Sequence, residues 1–327
     1  MNDMNERINL NFDLSIISES ICKEYGFGQF VSNEIITVGY EDFNYILCTS
    51  IGKYCVKIFN KDRTLKDCNS YIDRIKLSSE IGVNSPKPYY HKDEILYVFV
   101  NNDTEFRLCV FEFIDGSNFY DLNTIPTENE IKDLIRQMAL IHKAKLDSKF
   151  IYDSWTLTNF KEEYEKKKQY LEEKDRIIVD DLRNKFDTVD FDKLEHTFVH
   201  GDIVSSNVMK DKTGRLWIID YAVSNYLPRI VDLAVSAYNL CTDPNSYENT
   251  LNSVRLIISE YEKYNKLSDY EKEAFPIFFE LGNGMGLLQT SYQKAIGNGS
   301  EENEFWLDVS RKGIGFSTPE FWRKILD

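Results

Sequence analysis

No stretch of this 327-residue chain approaches the roughly 20 consecutive apolar residues that a membrane-spanning helix requires. Residues 1–13 are polar and lack the apolar core of a secretory leader. Cysteine is sparse and unpatterned: positions 22, 48, 55, 68, 109 and 241 contain no Cys-x-x-Cys pair, and Cys55 and Cys109 sit inside apolar runs. That usage predicts buried, reduced thiols and a cytoplasmic protein. Only four histidines occur, at 91, 142, 196 and 200, with no metal-ligand spacing among them. Basic residues are in deficit: 39 Lys and Arg against 54 Asp and Glu give a net charge of −15. Such a chain is a poor candidate for binding nucleic acid or anionic lipid through a broad basic surface. No internal repeat or low-complexity segment stands out, and no glycine-rich loop ends in the Gly-Lys-Ser/Thr of a Walker A motif.

What is present is ample apolar material, 42% hydrophobic and 14% aromatic. This is enough for a large core, and the length favours two lobes or two domains. Apolar positions at Leu14, Ile16, Ile17, Ile21 and Tyr25 recur at helical spacing and stop at Gly26 and Gly28. Three β-runs follow, around residues 35–38, 45–47 and 54–59, with Gly39 at the first turn; they predict an antiparallel sheet. Lys57 is the single charge inside the third run, so it requires a counter-charge or a solvated exit. A helix is expected over 66–81, and further strands over 95–100 and 107–113. Ile131, Leu134, Ile135, Met138 and Ile141 mark a strong helix over 127–145, opened by a Thr127/Glu130 capping box. Residues 160–185 are dense in both Lys and Glu, the pattern of one exposed helix with ion pairs. Helices are expected again over 247–264, 271–292 and 301–312. Gly282, Gly284 and Gly286 follow no strand, so they predict close helix packing and not a dinucleotide loop.

The chemistry concentrates in one stretch. Val208-Met209 and the run 216–219 are short apolar segments separated by Asp211-Lys212-Thr213-Gly214, a pattern that folds as a hairpin. Asn207 enters that hairpin and Asp220 leaves it, which brings an amide oxygen and a carboxylate side by side. Two hard oxygen donors suit Mg²⁺, which fills its octahedron with water and substrate phosphates. Asp202, one short loop earlier, is placed to orient or deprotonate a hydroxyl for in-line attack on a phosphate.

His200-Gly201-Asp202, then Asn207, then Asp220-Tyr221-Ala222, with Asp232-Leu233-Ala234 downstream, resembles the aminoglycoside phosphotransferase and choline kinase group, the small-molecule branch of the kinase-like fold. The run 40–45 is similar to the corresponding loop of homoserine and hydroxylysine kinases. The resemblance implies an α+β, two-lobed protein-kinase-like fold: a nucleotide-binding sheet lobe over 1–113 and a mainly helical catalytic and substrate lobe over 114–327. By resemblance, the cofactors are ATP or GTP with Mg²⁺ on Asn207 and Asp220. Lys57 then contacts the nucleotide phosphates, Gly39 belongs to the loop that closes over them, and Asp73 is the best-matched partner for Lys57. Backbone groups of Glu112, Phe113 and Ile114 form the hinge that receives the base. Asp202 serves the acceptor hydroxyl, His200 and Asp232 support the loop, and His142 packs or anchors. The implied partner is a small molecule with a hydroxyl, and the acidic balance admits an amine on it, met by acids such as Glu280 or Asp243. An atypical protein Ser/Thr kinase is opposed by the lack of an Ala-Pro-Glu segment, and a pseudokinase by the intact Lys57, Asp202, Asn207 and Asp220.

Overall fold

The computed structural model describes residues 2–37, 42–146, 150–298 and 301–326. Its contacts divide the chain into two compact units, residues 1–80 with 84–116 and residues 81–83 with 117–327. Gly39 falls outside the described residues.

The first unit opens with helices α1 (Asn2–Arg7) and α2 (Ser15–Tyr25). Gly26, at φ 70°, ends α2 by donating its N–H to the Cys22 carbonyl, a left-handed cap that glycine adopts without strain. Strands β1 (Phe30–Ile36), β2 (Phe43–Thr49), β3 (Gly52–Ile58), β4 (Tyr97–Asn101) and β5 (Thr104–Glu112) form an antiparallel sheet in the order β1-β2-β3-β5-β4. Alternation along the strands sorts the side chains to two faces. Phe43, Tyr45 and Leu47 of β2, Val56 and Ile58 of β3, and Leu108 and Val110 of β5 join Ile17 and Ile21 of α2 in one apolar core. The opposite parity sends Lys57 to the other face, where its ammonium lies 5.2 Å from the Tyr71 ring of α3 (Leu65–Glu80).

In the second unit, short β6 (Gly116–Asn118) and α4 (Phe119–Leu122) lead to α5 (Glu128–Ile141), whose Thr127/Glu130 capping box forms as expected. Where the sequence predicts one helix over 160–185 there are two, α6 (Phe160–Lys167) and α7 (Glu173–Asp187), separated by a 3₁₀ turn over Lys168–Tyr170. Strands β7 (His196–Val199), β8 (Val208–Asp211), β9 (Leu216–Ile218) and β10 (Asn225–Pro228) precede α8 (Ile230–Val235), α9 (Tyr247–Tyr261), α10 (Asp269–Ala295), α11 (Glu301–Phe316) and α12 (Pro319–Leu326). The long α10 is the core of the unit, and its glycines set how closely its neighbours approach. A Cβ on Gly282 would lie 2.0 Å from the Tyr238 ring, and one on Gly284 would lie 2.4 Å from Leu182. The Gly282-Gly284-Gly286 run is therefore a packing surface. Among the described residues, no helix is long and apolar enough to cross a membrane.

Candidate active site

The expected hairpin is present, with Val208 opposite Ile218 and Met209 opposite Trp217. Its turn is built by Asp211, whose Oδ1 accepts from the Thr213 and Arg215 amides and from the Thr213 hydroxyl, with Gly214 at φ 86°. At the open end, Ile219 N–H donates to the Asn207 carbonyl at 3.0 Å, so Asn207 and Asp220 flank one backbone bond. Asp220 itself takes φ 62°, a left-handed conformation that aspartate tolerates better than most residues, and its Oδ1 accepts the Ala222 N–H. The Asn207 amide nitrogen donates to Asp202 Oδ2 at 2.7 Å and to the Asp202 carbonyl at 3.1 Å. That commits Nδ2 to Asp202 and leaves Oδ1 as the atom that could ligate a cation.

One buried carboxylate holds the loop that carries Asp202. Asp232 lies at the start of α8 with no exposed surface, and its oxygens accept the His200 N–H at 2.8 Å and the Gly201 N–H at 2.6 Å. The His142 ring nitrogen donates to the same group at 3.0 Å, and its other ring nitrogen meets the Tyr261 hydroxyl at 2.6 Å. Burial works against the Asp232 charge, but His142, then His200 and the Gly201 amide, outweigh it and hold the carboxyl below the usual carboxylate range. Gly201 turns at φ 85°, with the Val223 carbonyl 3.3 Å from where a Cβ would stand. His200 is an anchor: its Nδ1 accepts the Asp202 N–H at 3.2 Å and its Nε2 donates to the Ile219 carbonyl at 3.2 Å. Burial lowers its pKa, against the charges of Asp232 and Asp220, so the ring is neutral, as those two bonds require.

Further contacts to this loop come from a π-helical turn over Ser236–Leu240 that interrupts the helix after α8. It aims the Ser236 hydroxyl at the Ile203 carbonyl at 3.2 Å and the Asn239 Oδ1 at the Ser205 N–H at 2.9 Å. Such turns insert one residue and re-aim side chains, and they recur at functional sites.

Asp202 stands in a strongly negative environment. Burial first, then the charges of Asp153 and Asp220, push its carboxyl up to about 8, while the Asn207 hydrogen bond works the other way. The same two carboxylates, Asp202 and Asp153, act with burial to raise the Tyr238 hydroxyl. Among the described residues no group of three or more His, Cys, Asp or Glu is arranged to hold a metal. The oxygens of Asn207 and Asp220 lie at the two ends of the hairpin's open side. Their chemistry fits a hard divalent cation that keeps water and phosphate in its remaining positions.

In the first unit, Lys57 is buried and its ammonium meets Asp42 Oδ2 at 3.3 Å. Asp42 is buried as well; its other oxygen accepts from Arg63 Nε at 2.9 Å and the Asn60 N–H at 3.0 Å. Asp73 stands on an exposed position of α3. Of the residues expected to receive the base, Glu112 spends its N–H on the Lys87 carbonyl and Ile114 accepts from the Gly116 N–H, while Phe113 lies 5.6 Å from the Lys53 ammonium.

Two residues at these sites had no signal in the sequence pattern. Asp42 lies one position from Phe43 in the loop that resembles small-molecule kinases, but nothing local distinguishes it from a turn-forming aspartate. Asp153, in the turn before α6, has only its composition to mark it. Conversely, the acids proposed for an amine are engaged elsewhere: Glu280 pairs with Lys185 at 2.7 Å and accepts from Ser317 at 2.6 Å, and Asp243 caps the turn before α9 through the Asn245 N–H and the Asn249 amide.

A sheet unit with a buried, acid-paired lysine, together with a helical unit that presents Asp202, Asn207 and Asp220 around a hairpin, defines a small-molecule kinase of protein-kinase-like fold. A model of the phosphotransferase enzyme family, APH, matches residues 33–265, well over half of the chain. The chain belongs to this family and is a phosphotransferase acting on a hydroxyl group of a small molecule. Among solved structures it is similar to a microcompartment-associated aminopropanol kinase, with a TM-score of 0.70 at 14% identity over 96% of this chain and 99% of that one. It is similar as well to the amicoumacin kinase hAmiN, solved with AMP-PNP, Ca²⁺ and Ami, with a TM-score of 0.68 at 17% identity over 97% of each chain. The choline kinase LicA from Streptococcus pneumoniae follows, with a TM-score of 0.60 at 18% identity over 92% of this chain and 98% of that one.

Proposed function

We propose that the protein transfers the γ-phosphate of ATP to the hydroxyl of a small, amine-bearing acceptor such as an amino alcohol, a hydroxy amino acid or an aminoglycoside. The observation that carries this reading is the bonded set Asp202–Asn207, held on a loop pinned by Asp232 and flanked by Asp220. In it Asp202, in the ionised form that a bound cation would favour, accepts the acceptor's hydroxyl hydrogen, aligns the oxygen for in-line attack and takes its proton as the new P–O bond forms and the bond from the γ-phosphorus to the β,γ-bridging oxygen breaks, with ADP as the leaving group. Asn207 and Asp220 would hold Mg²⁺, which when bound would supply charge neutralisation on the transferring phosphoryl group. Lys57, kept in place by Asp42, takes the nucleotide phosphates, and the backbone of Phe113 and Ile114 receives the base.

Asp153 supports the amine-bearing acceptor. Among the described residues no cation pairs with it, and burial pushes its carboxyl up against the hydrogen bonds from Trp155 and Thr156. An ammonium group on the acceptor is the counter-charge it lacks. The names of the similar structures, an aminopropanol kinase and a choline kinase among them, point the same way. All six cysteines are free, which suits a reducing cytoplasm.

The test is Mg²⁺-dependent ADP or GDP release from ATP and GTP with amino alcohols, choline, homoserine, hydroxylysine, aminoglycosides, methylthioribose and simple sugars. The expected result is turnover with an amine-bearing acceptor, lost in Asp202→Asn with nucleotide binding intact, while Asp220→Ala loses Mg²⁺-dependent nucleotide binding. Turnover with sugars alone would overturn the acceptor class. Full activity in Asp202→Asn would overturn the site, and absence of nucleotide binding by the native protein would make it a binding module.

A further inference from the structure

A buried polar node joins α6 and α10. Glu163 of α6 is 1% exposed and Gln289 of α10 is 2% exposed. Glu163 accepts hydrogen bonds from the Lys167 ammonium, the Tyr152 hydroxyl, Lys166 at 3.0 Å and Gln289 at 3.2 Å. Burial opposes the charge, yet these four donors hold its carboxyl at about 2. A charged node of this kind is an expensive way to pack two helices, since well-fitted apolar residues hold such contacts as well or better. What an apolar pair cannot do is bond to a loop. Here Gln289 Nε2 donates to the Ser154 carbonyl, and Glu163 receives the Tyr152 hydroxyl, so the node grips the segment 151–156 at two points.

The same segment is gripped from two other sides. Asn225, fully buried at the start of β10, takes the Ile151 N–H on its Oδ1 and donates to the Ile151 carbonyl, both at 2.8 Å. Its amide also donates to the Val223 carbonyl at 3.0 Å, the group that crowds Gly201 next to Asp202. Asn159 Nδ2 donates to the Asp153 carbonyl at 2.7 Å. Residues 151, 152, 153 and 154 are thus each tied, and Asp153, the carboxylate whose charge reaches Asp202, lies between the Asn225 tie and the Gln289 tie.

We propose that Glu163 and Gln289 are positioning residues for the acceptor: they hold the 151–156 segment so that Asp153 is presented to the substrate at the catalytic loop. This rests on the reading that Asp153 receives the acceptor's amine. Neither residue touches the reacting atoms, so their effect falls on acceptor binding. Nucleotide binding is untouched.

Two readouts test this on the full-length protein, steady-state kinetics and amide hydrogen exchange over residues 150–157. In Gln289→Leu the acceptor KM rises by about tenfold, with kcat and the nucleotide KM within about twofold of native, the signature of lost substrate positioning. Exchange in 150–157 accelerates while α5 and α9 stay protected. Tyr152→Phe, which removes a single hydroxyl at an exposed residue, gives the same pattern at smaller amplitude and carries the test if Gln289→Leu does not fold. An unchanged acceptor KM in the variants that fold, or a fall in kcat and in both KM-dependent efficiencies together, overturns the proposal. Asp153→Asn separates the two levels. If it raises the acceptor KM and the node variants do not, the positioning role alone fails; if it leaves KM unchanged, the assignment of the amine to Asp153 fails with it.

Discussion

Asp232→Ala removes one carboxylate that three donors share. The His200 N–H, the Gly201 N–H and the His142 ring nitrogen lie 2.8, 2.6 and 3.0 Å from its oxygens, and Asp232, His200 and His142 are all buried. A stranded buried donor costs about 1–3 kcal/mol. Three would cost about 3–9 kcal/mol, and a water entering the vacated space recovers part of that. The expected loss is therefore about 3–5 kcal/mol, a large share of the roughly 5–15 kcal/mol that holds a domain folded. Because the two backbone donors belong to the residues immediately before Asp202, kcat falls with stability. Urea denaturation at neutral pH measures the first and ADP release the second, and Asp232→Asn, which keeps the shape and loses the charge, falls between. Acid provides an independent check. The folded carboxyl lies below its ordinary value of 3.8, so its contribution is complete above that pH and is lost as the pH falls through the folded value. Native stability declines below about pH 4, and that part of the decline is absent in Asp232→Asn. A midpoint shift worth less than about 1 kcal/mol with kcat near native would refute the reasoning, since it would mean that the loop holds its shape without its buried acceptor.

Two further substitutions follow from the geometry. Gly201→Ala places a Cβ 3.3 Å from the Val223 carbonyl at φ 85°; it should cost about 1–2 kcal/mol and lower kcat more than the nucleotide KM, and native kinetics would show that this turn does not set the Asp202 position. Asp42→Asn removes the buried carboxylate that Lys57 and Arg63 both meet, with a loss of about 3–5 kcal/mol and weaker ATP binding by calorimetry, whereas exposed Asp73→Asn stays within about 0.5 kcal/mol. Equal effects of the two would return the lysine to the helix.

The elements that depend on neighbours in sequence were legible from the chain alone. The hairpin from Val208 to Ile218 follows from two apolar runs and a Gly214 turn, the start of α5 from Thr127 and Glu130, and the end of α2 from Gly26. The spacing of Asp202, Asn207 and Asp220 is of this kind, because a loop and a hairpin are local structures and their open end brings those side chains together whatever surrounds them. The glycines of α10 announced close packing, although only the folded chain shows that the Tyr238 ring fills the space at Gly282. Tertiary structure alone decided what depends on distant segments. Asp42 and Asp73 are both acids within reach of Lys57 by count, and the difference is that one is buried against the Lys57 ammonium and the other is exposed on α3. The π-helical turn that brings Ser236 and Asn239 to the catalytic loop has no propensity signature. Asp153 gains its importance from Asn225, Asn159 and Gln289, of which Asn225 lies 74 positions and Gln289 135 positions from the residues of the segment that they bind. Local pattern records how a segment folds against itself; which charges are left uncompensated depends on what the rest of the chain packs around them.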